Sequence, residues 1–183
     1  SPGVLYTAVI NPTTVFVDAR STRELVGTAG CPLKSIRAAL SLLAALPSTT
    51  KRTVKLAGGT AGAPVVYNEV GTIVLKSKVS LVGVGSTGIV IKGGGPCGAA
   101  QCVMVLEGDA ALAGVTIDVG NRIGLMVNPA SALTVSVKDV VITNTLGATT
   151  PAVQVDGPGS VDFGPAFRVV KNERPGLVVQ SVA

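Results

Sequence analysis

The sequence predicts an all-β chain wound as a parallel β-helix, a solenoid of short strands, with an α-helix covering its N-terminal end. Three observations predict it. Val fills 31 of 183 positions, while charged residues make up 14%, aromatics 3%, and Trp is missing. Small branched side chains suit half-buried strands. Gly (23) and Pro (11) punctuate the chain so often that few runs have room for a helix. Finally, strand-like runs recur in a three-part cycle of roughly two dozen residues, the mark of a stacked repeat.

The elements follow in order. Val15-Phe16-Val17 reads as the first strand. Pro32–Leu46 reads as the helix, with Pro near its start, Pro47 after it, and Leu33, Ile36, Leu40, Leu43 and Leu46 at helical spacing. Thr53–Leu56 alternates as a strand. The first set of the cycle starts at Val103, Leu125, Val153 and Leu177. The second runs Ala111-Leu112, Leu133–Val137, Val161–Phe163. The third runs Val115–Asp118, Val141–Asn144, Val169–Asn172 and places a polar turn residue at Asp118, Asn144 and Asn172. One domain over 1–183 is expected, with the strand and capping helix in 1–50 and the coils in 51–183. The competing fold is an antiparallel sandwich, which hairpin signals should punctuate; only Asp156-Gly157 fits.

Charge is uneven: residues 1–92 carry +7 and residues 93–183 carry −2. The basic residues (among them Arg20, Arg23, Lys34, Arg37, Arg52, Lys76 and Lys92) are scattered and read as a solvated face. Few aromatics lie among them to stack bases, so no nucleic-acid partner is expected. There is no His, which removes most Ser-His, Cys-His and His-metal chemistry. Cys97 and Cys102 bracket a short Gly-rich segment and form a plausible disulfide pinning a long turn, leaving Cys31 over. The longest strongly apolar stretch, 38–46, is too short to span a bilayer, so no transmembrane segment is expected.

The residues then carry a likeness. Val15–Ala19, Cys31–Leu40, Arg52–Gly59, Val66–Glu69 and Thr72–Gly83 together resemble the opening region of the pectin-lyase-like right-handed parallel β-helix superfamily, as found in bacterial surface and secreted proteins. The resemblance covers roughly residues 13–93. It implies a right-handed coil. Fold does not imply function, and the superfamily includes polysaccharide lyases, glycoside hydrolases, phage tailspikes and adhesins.

The candidate site residues are weighed against that range. A polygalacturonase-like hydrolase has an Asn-Thr-Asp signature; here the run is Asn144-Thr145-Leu146, and the family's His is missing too. The best residual acids are Glu107, Asp109 and Asp156, with Arg122 or Arg168 as base or clamp. The ordinary reading makes them solvated turn residues, and no catalytic set is committed. Asp118, Asn144 and Asn172 are either calcium ligands or stacked turn caps. No other cofactor is expected. Glu69 is either catalytic or a turn residue of the first coil. Tyr6 and Tyr67 are the only tyrosines, few for a sugar-binding cleft.

The expected function is a non-catalytic, secreted or cell-surface scaffold or adhesion domain, part of a larger surface protein or assembly. Its expected partners are surface polysaccharide or other surface proteins, with homo-oligomers or stacking through an open C-terminal coil. The alternative is a lyase or hydrolase acting on anionic polysaccharide. A further alternative is a tailspike-like virion protein.

Overall fold

A computed structural model describes residues 13–22, 26–145, 150–172 and 176–180, without the side chains of 145, 171, 172, 179 and 180. Tyr6, Arg23, Leu146 and the side chain of Asn172 lie outside the described residues. Among the described residues the chain is all-β apart from one helix. The elements are β1 (Thr14–Val17), α1 (Ile36–Ala44), β2 (Arg52–Leu56), β3 (Val65–Val70), β4 (Ile73–Leu75), β5 (Val79–Val82), β6 (Ile89–Cys97) and β7 (Ala100–Glu107). There follow β8 (Ala111–Gly120), β9 (Ile123–Asn128), β10 (Thr134–Thr145), β11 (Val153–Asp156), β12 (Ser160–Phe163), β13 (Arg168–Asn172) and β14 (Leu177–Gln180).

The strands pair in three columns. The first joins β1, β2, β5, the start of β8, the start of β10, and β12. The second joins β3, β6, the end of β8, the end of β10, and β13. The third joins β4, β7, β9, β11 and β14. All these pairings are parallel. The one antiparallel strand pairing among the described residues is β6 with β7. Two antiparallel layers have no place for this pattern.

Alternation within each strand sends one set of side chains inward. Stacked in register, those side chains form continuous apolar ladders. Val15, Val54, Leu81, Leu112 and Val137 make one, and each is at most 1% exposed. Tyr67, Ile91, Ile117 and Ile142 make the second, equally buried. Ile73, Met104, Leu125 and Val153 make the third. Apart from Tyr67 and Met104 the stacked residues are branched aliphatics, so most side chains sit against branched carbon, and little but apolar bulk is needed.

Several sequence expectations shift. The first set holds at Leu125, Val153 and Leu177, but Met104, not Val103, shares their register. The second and third sets are not separate strands in β8 and β10; each pair fuses into one long strand with a corner. Gly114 (φ 68) and Asp139 (φ 49) sit at those corners in the left-handed region, which turns the chain without ending its pairing. The polar recurrence is also off by one. Asp118 stands beside Thr143, and Asn144 (φ 59) drops out of the ladder between Thr143 and Thr145.

Helix α1 is shorter than Pro32–Leu46. Leu33 bridges Val17 and trades backbone bonds with Phe16 and Asp18, so it is tied to β1 rather than joined to the helix. Ser35 is the N-cap, its Oγ accepting from the Ala38 amide at 3.1 Å. The buried face of Ile36, Ala39 and Leu43 joins the same core as Val15 and Val17.

Candidate functional site

The outward side chains of the third column form two rows. Val74, Val105, Met126 and Gln154 stand side by side, one strand apart. Glu107 and Asn128 stand in register at the ends of β7 and β9, with Asp156 ending β11 next to them and Lys76 just past β4. The β6–β7 hairpin folds over this face. Cys97 and Cys102 close it as a disulfide with Cα atoms 5.9 Å apart, and the Thr72 hydroxyl donates to the Pro96 carbonyl at 2.9 Å. The bridge does more than pin a turn. Cys102, Val105 and Ile123 are buried as a second apolar cluster, with Val74, Cys97, Ala100 and Met126 packed around it. Between hairpin and polar row runs a groove of about 520 Å³, bordered by Val74, Val105, Met126, Gln154 and Asp156. A second groove, about 640 Å³, adjoins it beneath the end of α1, and Glu107 and Asn128 border both.

The structure brings Glu107 and Asp156 to one groove and separates the other candidates from them. The Lys76 ammonium holds Glu107 at 2.7 Å. The Gln154 amide donates to Asp156 at 2.7 Å. Asp109 turns away: it accepts from the Ser77 hydroxyl, the Lys78 amide (2.7 Å) and the Lys78 ammonium (2.8 Å). Those contacts, Lys78 foremost, hold its carboxyl down at about 2 against the ordinary 3.8. Arg168 is exposed on β13, in the second column, and Arg122 lies in the turn after β8, beside Gly94; neither borders the groove.

The two members of the proposed ligand triad with described side chains, Asp118 and Asn144, are likewise committed to protein contacts. Asp118 receives the Lys92 ammonium and the Asn144 amide, both at 2.9 Å. No group of three or more His, Cys, Asp or Glu side chains is placed to hold a metal ion among the described residues. Asp139 ties two corners together, accepting from the Ser86 amide and hydroxyl 53 residues away.

Three residues have roles that the sequence analysis did not assign. Glu69 is neither exposed nor a turn residue. It lies inward on β3 at 6% exposure, and its carboxylate accepts from the Ile36 amide (2.6 Å) and the Arg37 amide (3.4 Å). It thereby caps α1 from 33 residues away. Tyr67 is no sugar platform; it is 1% exposed, with its hydroxyl against the Ala57 and Val17 carbonyls, and burial pushes its pKa well up. Arg52 is not on a solvated face but 6% exposed. A signal existed for all three. Tyr67 and Glu69 share strand parity with Val65, and Arg52 with Val54 and Leu56.

A scan against protein-family models and searches of curated proteins and solved structures return no match. Among the described residues, no helix is long and apolar enough to cross a membrane.

Proposed function

We propose that the chain is a right-handed parallel β-helix of the pectin-lyase-like kind, serving as a non-catalytic secreted or cell-surface scaffold or adhesion domain. Three columns of parallel strands, the second with successive partners about 25 residues apart, support the coil. One observation carries the non-catalytic reading: every carboxylate with a described side chain is engaged by a protein partner. Asp18 pairs with Arg20, Glu69 caps α1, Glu107 pairs with Lys76 and Asp109 with Lys78; Asp118 pairs with Lys92, Asp139 with Ser86, Asp156 with Gln154 and Asp162 with Lys138. Each acid thus has an ordinary structural partner, and none is marked out by its contacts as an acid or base held ready for a substrate. Surface polysaccharide or surface proteins are its partners in this reading, and copies associate through β12, β13 and β14.

Glu107 and Asp156 favour a second reading, since both border one groove. Their backbones are two strand spacings apart, about 9.6 Å. Carboxyl groups of inverting pairs stand about 6.5–9.5 Å apart and those of retaining pairs about 5–5.5 Å, so a backbone spacing this wide suits the inverting class better. Incubating the chain and Asp156→Asn with a panel of uronic-acid polymers separates the readings. The scaffold predicts no turnover by either protein together with retention on cells or surface glycans. Turnover lost in Asp156→Asn overturns it. A stable trimer in sedimentation would instead favour a tailspike-like role.

A further inference from the structure

Arg52 opens β2 with its side chain turned inward beneath the C-terminal end of α1. One guanidinium NH₂ donates to the Leu43 carbonyl at 3.3 Å and the other to the Ser77 carbonyl at 3.1 Å. Its Nε is buried and meets no acceptor. The nearby acids serve other cations, Glu107 the Lys76 ammonium and Asp109 the Lys78 ammonium. The structure thus holds Arg52, a residue only 6% exposed, with carbonyl oxygens but no carboxylate ion-paired to its guanidinium among the described residues. Carbonyls solvate such a charge only in part, and a buried cation without a counter-charge is costly.

The Arg52 side chain borders the 640 Å³ groove, with Lys76, Ser48 and Glu107 on the walls and Ala44, Leu46 and Ala130 as apolar lining. The charged groups facing the groove are Arg52, Lys76 and Glu107, which leaves one net positive charge. Lys78 and Asp109, just outside, neutralise each other. We propose that this groove is a binding site for a tetrahedral oxyanion, the phosphate or sulfate group of an ester. A carboxylate is already present as Glu107, and it serves Lys76 alone. Arg52 and Lys76 border the same groove, and a group with three terminal oxygens has acceptors enough to take Lys76 from Glu107 while turning another oxygen to Arg52. Glu107 acts as the built-in competitor, occupying Lys76 until the ester arrives. This site is independent of the scaffold reading and stands or falls by itself.

The test uses the full chain with inorganic phosphate as probe, sodium sulfate in parallel, and sodium chloride at matched ionic strength as control. Binding is followed by calorimetry and by thermal melting. Arg52 variants risk losing the contact that holds α1, so two rim variants carry the experiment. Glu107→Gln frees Lys76 and tightens phosphate about three- to five-fold, the size of a partly exposed charge pair. Lys76→Gln weakens it by a similar factor. Both lose the same ion pair, so in chloride they melt alike, at or slightly below the parent. A preference for phosphate over sulfate points to phosphate esters, and the reverse to sulfate esters. Phosphate and sulfate stabilise folded chains generally at high concentration, so melting is read at low millimolar anion, and a shift there no greater than that in chloride overturns the proposal. So does an affinity that neither rim variant moves.

Discussion

Removing the Glu69 carboxylate tests how the helix is held to the strands. Helix α1 has nine residues and no acid in its first turn. Its first amides need acceptors from elsewhere. Ser35 takes the Ala38 amide; Glu69 takes Ile36 at 2.6 Å and Arg37 at 3.4 Å. In Glu69→Ala the Ile36 amide stays buried without an acceptor. A hydrogen bond to a charged group is worth about 1.5–3 kcal/mol, and charge at a partly buried helix end adds up to about 2 kcal/mol, overlapping with the first figure. The 3.4 Å contact adds little. Glu69→Ala therefore costs about 3 kcal/mol. Glu69→Gln keeps a neutral acceptor and costs about half that. Ser35→Ala costs about 1 kcal/mol and serves as the local comparison. Urea unfolding at neutral pH gives the totals, and amide exchange at Ile36 and Arg37 locates the loss. A Glu69→Ala midpoint within about 0.5 kcal/mol of the parent would show that the cap is incidental.

Three further outcomes are expected. Ile117 lies fully buried between Ile91 and Ile142, so Ile117→Ala should cost about 3–4 kcal/mol in denaturant, and a value below 1 would deny the ladder its role. Gly93 has φ +125, and an added Cβ would run into the Glu69 carbonyl oxygen; Gly93→Ala should lose at least about 2 kcal/mol, read from its melting curve. Asp109 is held at about 2 when folded, below its ordinary 3.8, so it stabilises the fold above pH 4 and that contribution fades as pH falls from about 4 to 2. Asp109→Asn should flatten the acid limb of stability against pH in that window; an unchanged limb would mean that Asp109 is not held low in the folded chain.

The split between what sequence and structure decide can be followed residue by residue. Local alternation and turn residues are enough to read the β class, the positions of β1, β2, β11 and β12, and the Leu125–Val153–Leu177 register. The helix is legible too, although its start is not, because Leu33 is drawn away by Val17. Alternation tells which side chains point together, and it marks Tyr67 and Glu69 as inward once Val65 is. It cannot tell which strand lies next door, since every Val-rich run fits any other. Register is therefore set by corners such as Gly114 and Asp139, which decide that Met104 stacks on Leu125 and Ile117 on Ile142. The candidate site needs that step even more. Lys76 meets Glu107 across 31 residues, and Glu69 meets Ile36 across 33. Composition and periodicity act within one strand or one helical turn, and so they determined the kind of chain this is. Partners that lie one strand over in space but dozens of residues away in sequence were decided by the tertiary structure alone.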